Sequence, residues 1–183
     1  FFFFNDTATT EIYTLSLHDA LPIFARAVAS EWREARDSLE RVRERWEATP
    51  SIRPAPGFIS SAFSRRRWHP ILNRPRPHEG IDIAAPEGAP ILAAAAGWVR
   101  QVGWSGEYGL LVEIDHGYGI VTRYAHASRI VVRKGQRVAR GQKIGAVGAT
   151  GLAAGPHLHY EVLVHGRAVN PRRFLYDDGP GPR

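Results

Sequence analysis

Leu110–His126 reads LLVEIDHGYGIVTRYAH, and this stretch decides the fold. Two runs, Leu110–Asp115 and Ile120–His126, are rich in branched and aromatic residues that suit a pleated strand. Between them His116-Gly-Tyr-Gly119 makes a turn, and its glycines reach backbone conformations closed to other residues. Strands joined by so short a connection run antiparallel. The same texture extends outward: Ile91–Val102 and Leu158–Val164 read as further strands bounded by Gly or Pro, and Phe58–Phe63 as one more. Val131–Gly151 sets short hydrophobic pairs between glycines at 135, 141, 145, 148 and 151. The expected fold class is mostly β, built on an antiparallel sheet.

A helix is expected upstream of the sheet. Residues 25–48 hold no Gly or Pro, and Val28, Trp32, Ala35, Leu39, Val42 and Trp46 recur at steps of four and three. This predicts one amphipathic or coiled-coil helix over 24–49, ended by Thr49-Pro50. A helix that short is marginal alone, so its stripe is covered by a partner or by its own domain. Residues 50–77 are rich in Pro and Arg and read as a linker and entry loop; 78–175 carry the main domain and 176–183 a flexible tail. The first segment differs from everything after it. Phe1–Ile23 contains no Lys or Arg, and Asn5–Ile23 resembles the translation of a sequencing-adapter oligonucleotide. It is read as non-native, and a secretory leader is not favoured because a positive start is missing.

Composition narrows the chemistry. The chain has 183 residues and no cysteine, so disulfides and thiolate metal sites are excluded. No apolar run of the length a membrane span needs is visible. Residues 24–49 balance six Arg against six acids, whereas 50–183 carry eighteen bases against nine acids. A basic domain is drawn to anionic polymers such as a cell wall. No recognition motif for nucleic acid accompanies the charge, so no nucleic-acid partner is expected.

The chemistry-bearing residues are His78-Glu-Gly-Ile-Asp82, His126 and His157-Leu-His159. In an extended segment every second side chain faces one way. His78 and Asp82 then share a face, with Gly80 between them leaving room for a metal or substrate, and His157 and His159 share another. His126 closes Thr122-x-Tyr124-x-His126 at a strand end. A catalytic zinc site takes three protein ligands and an open position for water, whose pKa then falls towards about 7. His78, Asp82 and one histidine of the 157/159 pair supply that number, and spacing leaves open which one. The remaining histidines are candidates for proton transfer and oxyanion stabilisation.

Taken together, RPHEGIDIAAPEGAPILAAAAGWV, LVEIDHGYGIVTRYAHAS, VRKGQRVARGQKIGAVGATG and GPHLHYEV resemble the lysostaphin/LytM-type zinc metallopeptidases, from about Phe58 to Pro171. The resemblance implies a gapped antiparallel β-sheet domain with its site in an open groove. It implies one zinc per chain and hydrolysis of peptide cross-links or stem peptides in bacterial peptidoglycan, by a zinc-activated water. Matched by position, His78, Asp82 and His159 are the implied metal ligands, and His126 and His157 the implied catalytic histidines. Some members place an upstream Tyr near the oxyanion; none lies between 50 and 77 here, so that role is unassigned, and His69 is read first as loop packing and second as a candidate for it. Ser64 stands where a Gly is frequent. Glu161 and Tyr124 are candidates to support the site or line its groove, and Trp98 and Trp104 read as core or groove wall. A periplasmic or extracellular location in the cell envelope follows from the substrate.

Two other functions compete. Catalytically inactive relatives activate wall amidases through a helical arm, and residues 24–49 resemble such an arm, a surface for a coiled-coil, divisome or wall-hydrolase partner. Those relatives have lost zinc ligands, whereas all five positions stand here. A biotinyl- or lipoyl-type carrier is echoed by Val131–Gly151, but Lys134 and Lys143 lack the neighbouring residues such domains use.

Overall fold

Leu158, Tyr160 and Val162 alternate with His157, His159 and Glu161, giving one strand an apolar face and a chemically active one. The computed structural model, which describes residues 17–69 and 73–175, builds its main sheet on this alternation. In chain order the elements are α1 (Leu17–Ala48), β1 (Phe58–Ser61), β2 (Ser64–His69), β3 (Arg74–His78), β4 (Ile81–Ala84), β5 (Pro90–Leu92) and β6 (Gly97–Trp104). They continue with β7 (Leu110–Gly117), β8 (Ile120–Ile130), β9 (Arg137–Val138), β10 (Lys143–Val147), β11 (His157–Val164) and β12 (Arg167–Val169). The fold is mostly β, as expected. Among the described residues, ten strands form one sheet in the order β1-β4-β11-β8-β7-β6-β9, with β10 on β8 and β5, and β12 on β11. The pairings are antiparallel. β2 and β3 form a separate two-stranded hairpin.

The core lies on one face of this sheet. Ile81, Ile83, Ile114, Tyr124, Leu158 and Tyr160 expose no surface there. Burial of such side chains contributes roughly 1.5–3 kcal/mol each. The opposite face of β4 and β11 is left for Asp82, His157, His159 and Glu161.

Three expectations change. Ile91–Val102 is not one strand: Ala93–Ala96 breaks it into β5 and β6. Alanine offers no branched side chain to hold a pleat, and these backbone groups bond elsewhere: Ala93 N–H to Gln142 O at 2.9 Å, and Ala94 N–H to the Tyr124 hydroxyl at 2.8 Å. The stretch 50–77 is not only linker, since it carries β1 and most of the β2–β3 hairpin. Its Arg-Pro alternation has no apolar period to reveal strands, and Pro75 and Pro77 are tolerated because a two-stranded hairpin leaves outer edges unpaired. Trp98 and Trp104 are exposed, neither core nor groove wall.

The chain divides into two compact units, one ending at Arg43 and the other beginning at Glu44. α1 starts at Leu17, upstream of the expected 24, and ends at Ala48. Its stripe residues Trp32, Leu39 and Val42 are exposed. In the second unit, Arg140 stacks 3.6 Å from the Trp46 ring and donates to Trp46 O at 2.6 Å. Among the described residues, no helix is long and apolar enough to cross a membrane.

Candidate active site

Antiparallel register sets Asp82 of β4 directly opposite His159 of β11. His78 arrives differently. Along a straight strand four residues span about 13 Å, too far for residues 78 and 82 to share an ion. Instead the chain leaves the hairpin at the end of β3, turns at Glu79-Gly80 and enters the main sheet as β4. The expected common strand face is thus replaced by a bend, which brings His78 Nε2 to 3.0 Å from Asp82 Oδ1 and 3.1 Å from His159 Nδ1. His159 Nδ1 lies 2.8 Å from Asp82 Oδ1.

Gly80 has a different task from the one expected. A Cβ there would collide with Tyr160 O and stand 2.9 Å from Glu161 Cγ and 3.0 Å from His159 Cε1. The missing side chain gives β11 its close approach rather than leaving room for a metal. Gly80→Ala is therefore expected to lower stability by about 1–3 kcal/mol and to weaken metal binding, because the bend must withdraw from His159. Thermal unfolding and metal titration check this, and unchanged values in both would refute it.

The three converging atoms are short of protons. His78 Nδ1 donates to Ala62 O at 2.8 Å, and His159 Nε2 donates to Glu161 Oε1 at 3.0 Å. When both rings are neutral each has one N–H, spent on those outer bonds, so both inward nitrogens then present lone pairs, and an ionised carboxylate only accepts. Three lone pairs within 2.8–3.1 Å repel unless a cation sits among them. Ligand atoms about 2.0–2.1 Å from a tetrahedral zinc lie roughly 3.3 Å apart, close to this spacing, and nitrogen with oxygen is a donor set zinc accepts. The charges agree. Burial alone would lift Asp82, yet with no metal bound the His159 and His78 rings against it, sharing a proton with it, hold its carboxyl far below the usual range. Burial pulls His159 down, but the Asp82 and Glu161 carboxylates outweigh it and lift the ring to about 9. Without a metal a proton fills the cation's role, and metal binding displaces it.

His126 and His157 stand beside this set, their rings 4.7 Å apart. Period two would send His126 into the core with Thr122 and Tyr124. Instead its φ of 61°, in the left-handed region, breaks the alternation and turns the ring into the groove. His126 Nδ1 donates to Thr150 O at 2.8 Å and His157 Nδ1 to Gly155 O at 2.8 Å. Each Nε2 is left as an acceptor, and that of His157 is 3.8 Å from Asp82 Oδ1.

Of the supporting candidates, Glu161 is buried and holds His159, while Arg123 Nη1 donates to its other oxygen at 3.3 Å. Tyr124 is corrected: it is wholly buried on the core face, packed on Tyr160 with ring centroids 5.4 Å apart, and does not line the groove. The side chain of His69 lies outside the described residues. Two groove residues were not singled out from sequence. Tyr108 donates to Glu161 Oε1 at 2.9 Å from a short turn before β7, where no periodicity marks it. Arg67 stands 3.4 Å from Asp82 Oδ2 and is hidden in sequence among three consecutive arginines. The groove has a volume of about 620 Å³, with Ser60, Leu152 and Pro156 on its walls.

Comparison with known proteins adds the following. The family model described as Peptidase family M23 matches residues 76–171. Peptidoglycan DD-endopeptidase ShyA of Vibrio cholerae is 46% identical over 137 residues, covering 73% of this chain and 30% of ShyA. The crystal structure of a zinc-containing peptidase from Vibrio cholerae is 43% identical with a TM-score of 0.60, covering 67% of this chain and 38% of that one. The catalytic domain of lysostaphin from Staphylococcus simulans is 27% identical with a TM-score of 0.54, covering 64% of this chain and 89% of that domain. The chain thus spans under a third of ShyA's length, 30%.

Proposed function

The chain belongs to peptidase family M23, and from that premise we propose that it is a zinc metalloendopeptidase that hydrolyses peptide bonds of bacterial peptidoglycan. The observation that carries the reading is the meeting of three ligand atoms, from His78, Asp82 and His159, beside two more imidazoles in an open groove. These three residues would hold the zinc, which when bound supplies a Lewis acid. The other steps fall to the chain. The groove seats an extended peptide. His126 and His157 accept a proton at Nε2 from the attacking water and return it to the leaving amine. Glu161 keeps His159 in the tautomer that presents Nδ1. ShyA, a relative named as a peptidoglycan DD-endopeptidase, supports the substrate class.

An envelope location, periplasmic or extracellular, goes with that substrate. The excess of bases in residues 50–183 favours adsorption to the anionic wall, weakened by salt. The exposed stripe of residues 24–49 is proposed as an arm for a coiled-coil, divisome or wall-hydrolase partner. A purely adaptor role is not favoured, because His78, Asp82, His126, His157 and His159 are all present.

The test is direct. The chain loaded with one zinc is expected to release new amino termini from purified peptidoglycan, to stop when a chelator is added, and to resume when zinc is restored. Stoichiometric zinc without new termini would refute the enzymatic reading.

A further inference from the structure

We propose that Arg67 is a positioning residue that fixes which oxygen of Asp82 faces the metal, a role resting on the zinc reading above. The two carboxylate oxygens have different surroundings. Oδ1 meets His78 Nε2 at 3.0 Å and His159 Nδ1 at 2.8 Å. Oδ2 points the other way and meets Arg67 Nη2 at 3.4 Å. Arg67 is itself held, since its Nη1 donates to Ser61 Oγ at 2.8 Å. Ser61 in turn pairs with Asp82 across β1 and β4.

The hairpin explains why this guanidinium is there. Ser64 pairs with His78, and the register then shifts before Arg67 pairs with Arg76. Such an irregularity re-aims side chains. One hairpin therefore carries both His78 at its end and the guanidinium that braces Asp82.

The consequence is chemical. A carboxylate beside a divalent ion binds through one oxygen or through two, and the second oxygen takes a position that water or substrate would otherwise use. A guanidinium on Oδ2 opposes that rotation. At 3.4 Å it acts mainly as an ion pair, with both side chains mostly shielded from solvent.

The experiment uses the full chain with Arg67→Gln, Arg67→Lys and Ser61→Ala. Zinc affinity is read by competition with a chelating dye, and ligand geometry by the visible spectrum of the cobalt-substituted protein. Arg67→Gln is expected to weaken zinc binding about 10–100-fold, the usual cost of losing a partner behind a ligand. Its cobalt bands should lose intensity as coordination expands, Arg67→Lys should recover most of the affinity, and Ser61→Ala should fall between. If Arg67→Gln does not fold, Ser61→Ala carries the test through the same spectral change. Folded variants with wild-type affinity and spectrum, whatever their thermal stability, would overturn the proposal and leave Arg67 a brace for the hairpin. A wild-type chain that takes up no zinc overturns the zinc reading and this role with it.

Discussion

His78→Ala is expected to strip the chain of zinc and of turnover while leaving the sheet intact. Removing a partner behind a ligand costs about 10–100-fold in affinity, so removing a ligand costs more than about 100-fold. The fold should survive, because the core packs through Ile81, Ile83, Leu158 and Tyr160 on the other face. The local loss is the bond from His78 Nδ1 to Ala62 O, worth about 0.5–1.5 kcal/mol. Elemental analysis after gel filtration should find less than one zinc per chain. Thermal unfolding should lose the upward shift that zinc gives the wild type, since a ligand stabilises only the state that binds it. A variant that keeps one zinc and normal turnover would remove His78 from the ligand set.

What could be read in the sequence followed from period two. Leu110–His126 carried its hairpin because glycine turns and branched residues coincide there, and Leu158–Val164 carried β11 because its two faces differ in chemistry. The sequence pattern failed where the backbone leaves that period. Family resemblance puts His126 in the groove, whereas alternation buries it beside Tyr124, and only its left-handed φ reconciles the two. Tyr124 was misplaced by the same rule, which fixes shared faces but not which face is the core. Gly80 reads in sequence as room for a metal or substrate, and only the fold shows that β11 takes that space. Arg67 and Tyr108 carry no local signal, because each depends on contacts far along the chain, to Asp82 and Glu161. No local pattern encodes such distances.

His126→Asn and His157→Ala should separate chemistry from metal binding. Each is expected to keep one zinc per chain and lose about 10²–10⁴-fold in kcat, the range for a positioned proton-transfer group. Asn is the chosen replacement at 126 because it tolerates the left-handed backbone better than Ala. Losses in the double variant should fall far short of the product of the single ones, since both rings serve one proton path. Loss of zinc in either variant would instead make that histidine a ligand or a structural support. A pH series adds an independent reading of His126. Burial lowers it to about 4, with the neighbouring histidines adding to the effect and Thr150 O opposing it. The folded state therefore binds fewer protons than the unfolded chain between about pH 6.5 and pH 4. This contribution to stability is complete above about 6.5 and is lost as pH falls towards 4. Denaturant unfolding at several pH values should show His126→Asn losing stability less steeply than wild type across that window. Equal slopes would mean that the ring is not held neutral by its burial, and that its Nε2 is no better prepared to accept a proton than an exposed imidazole.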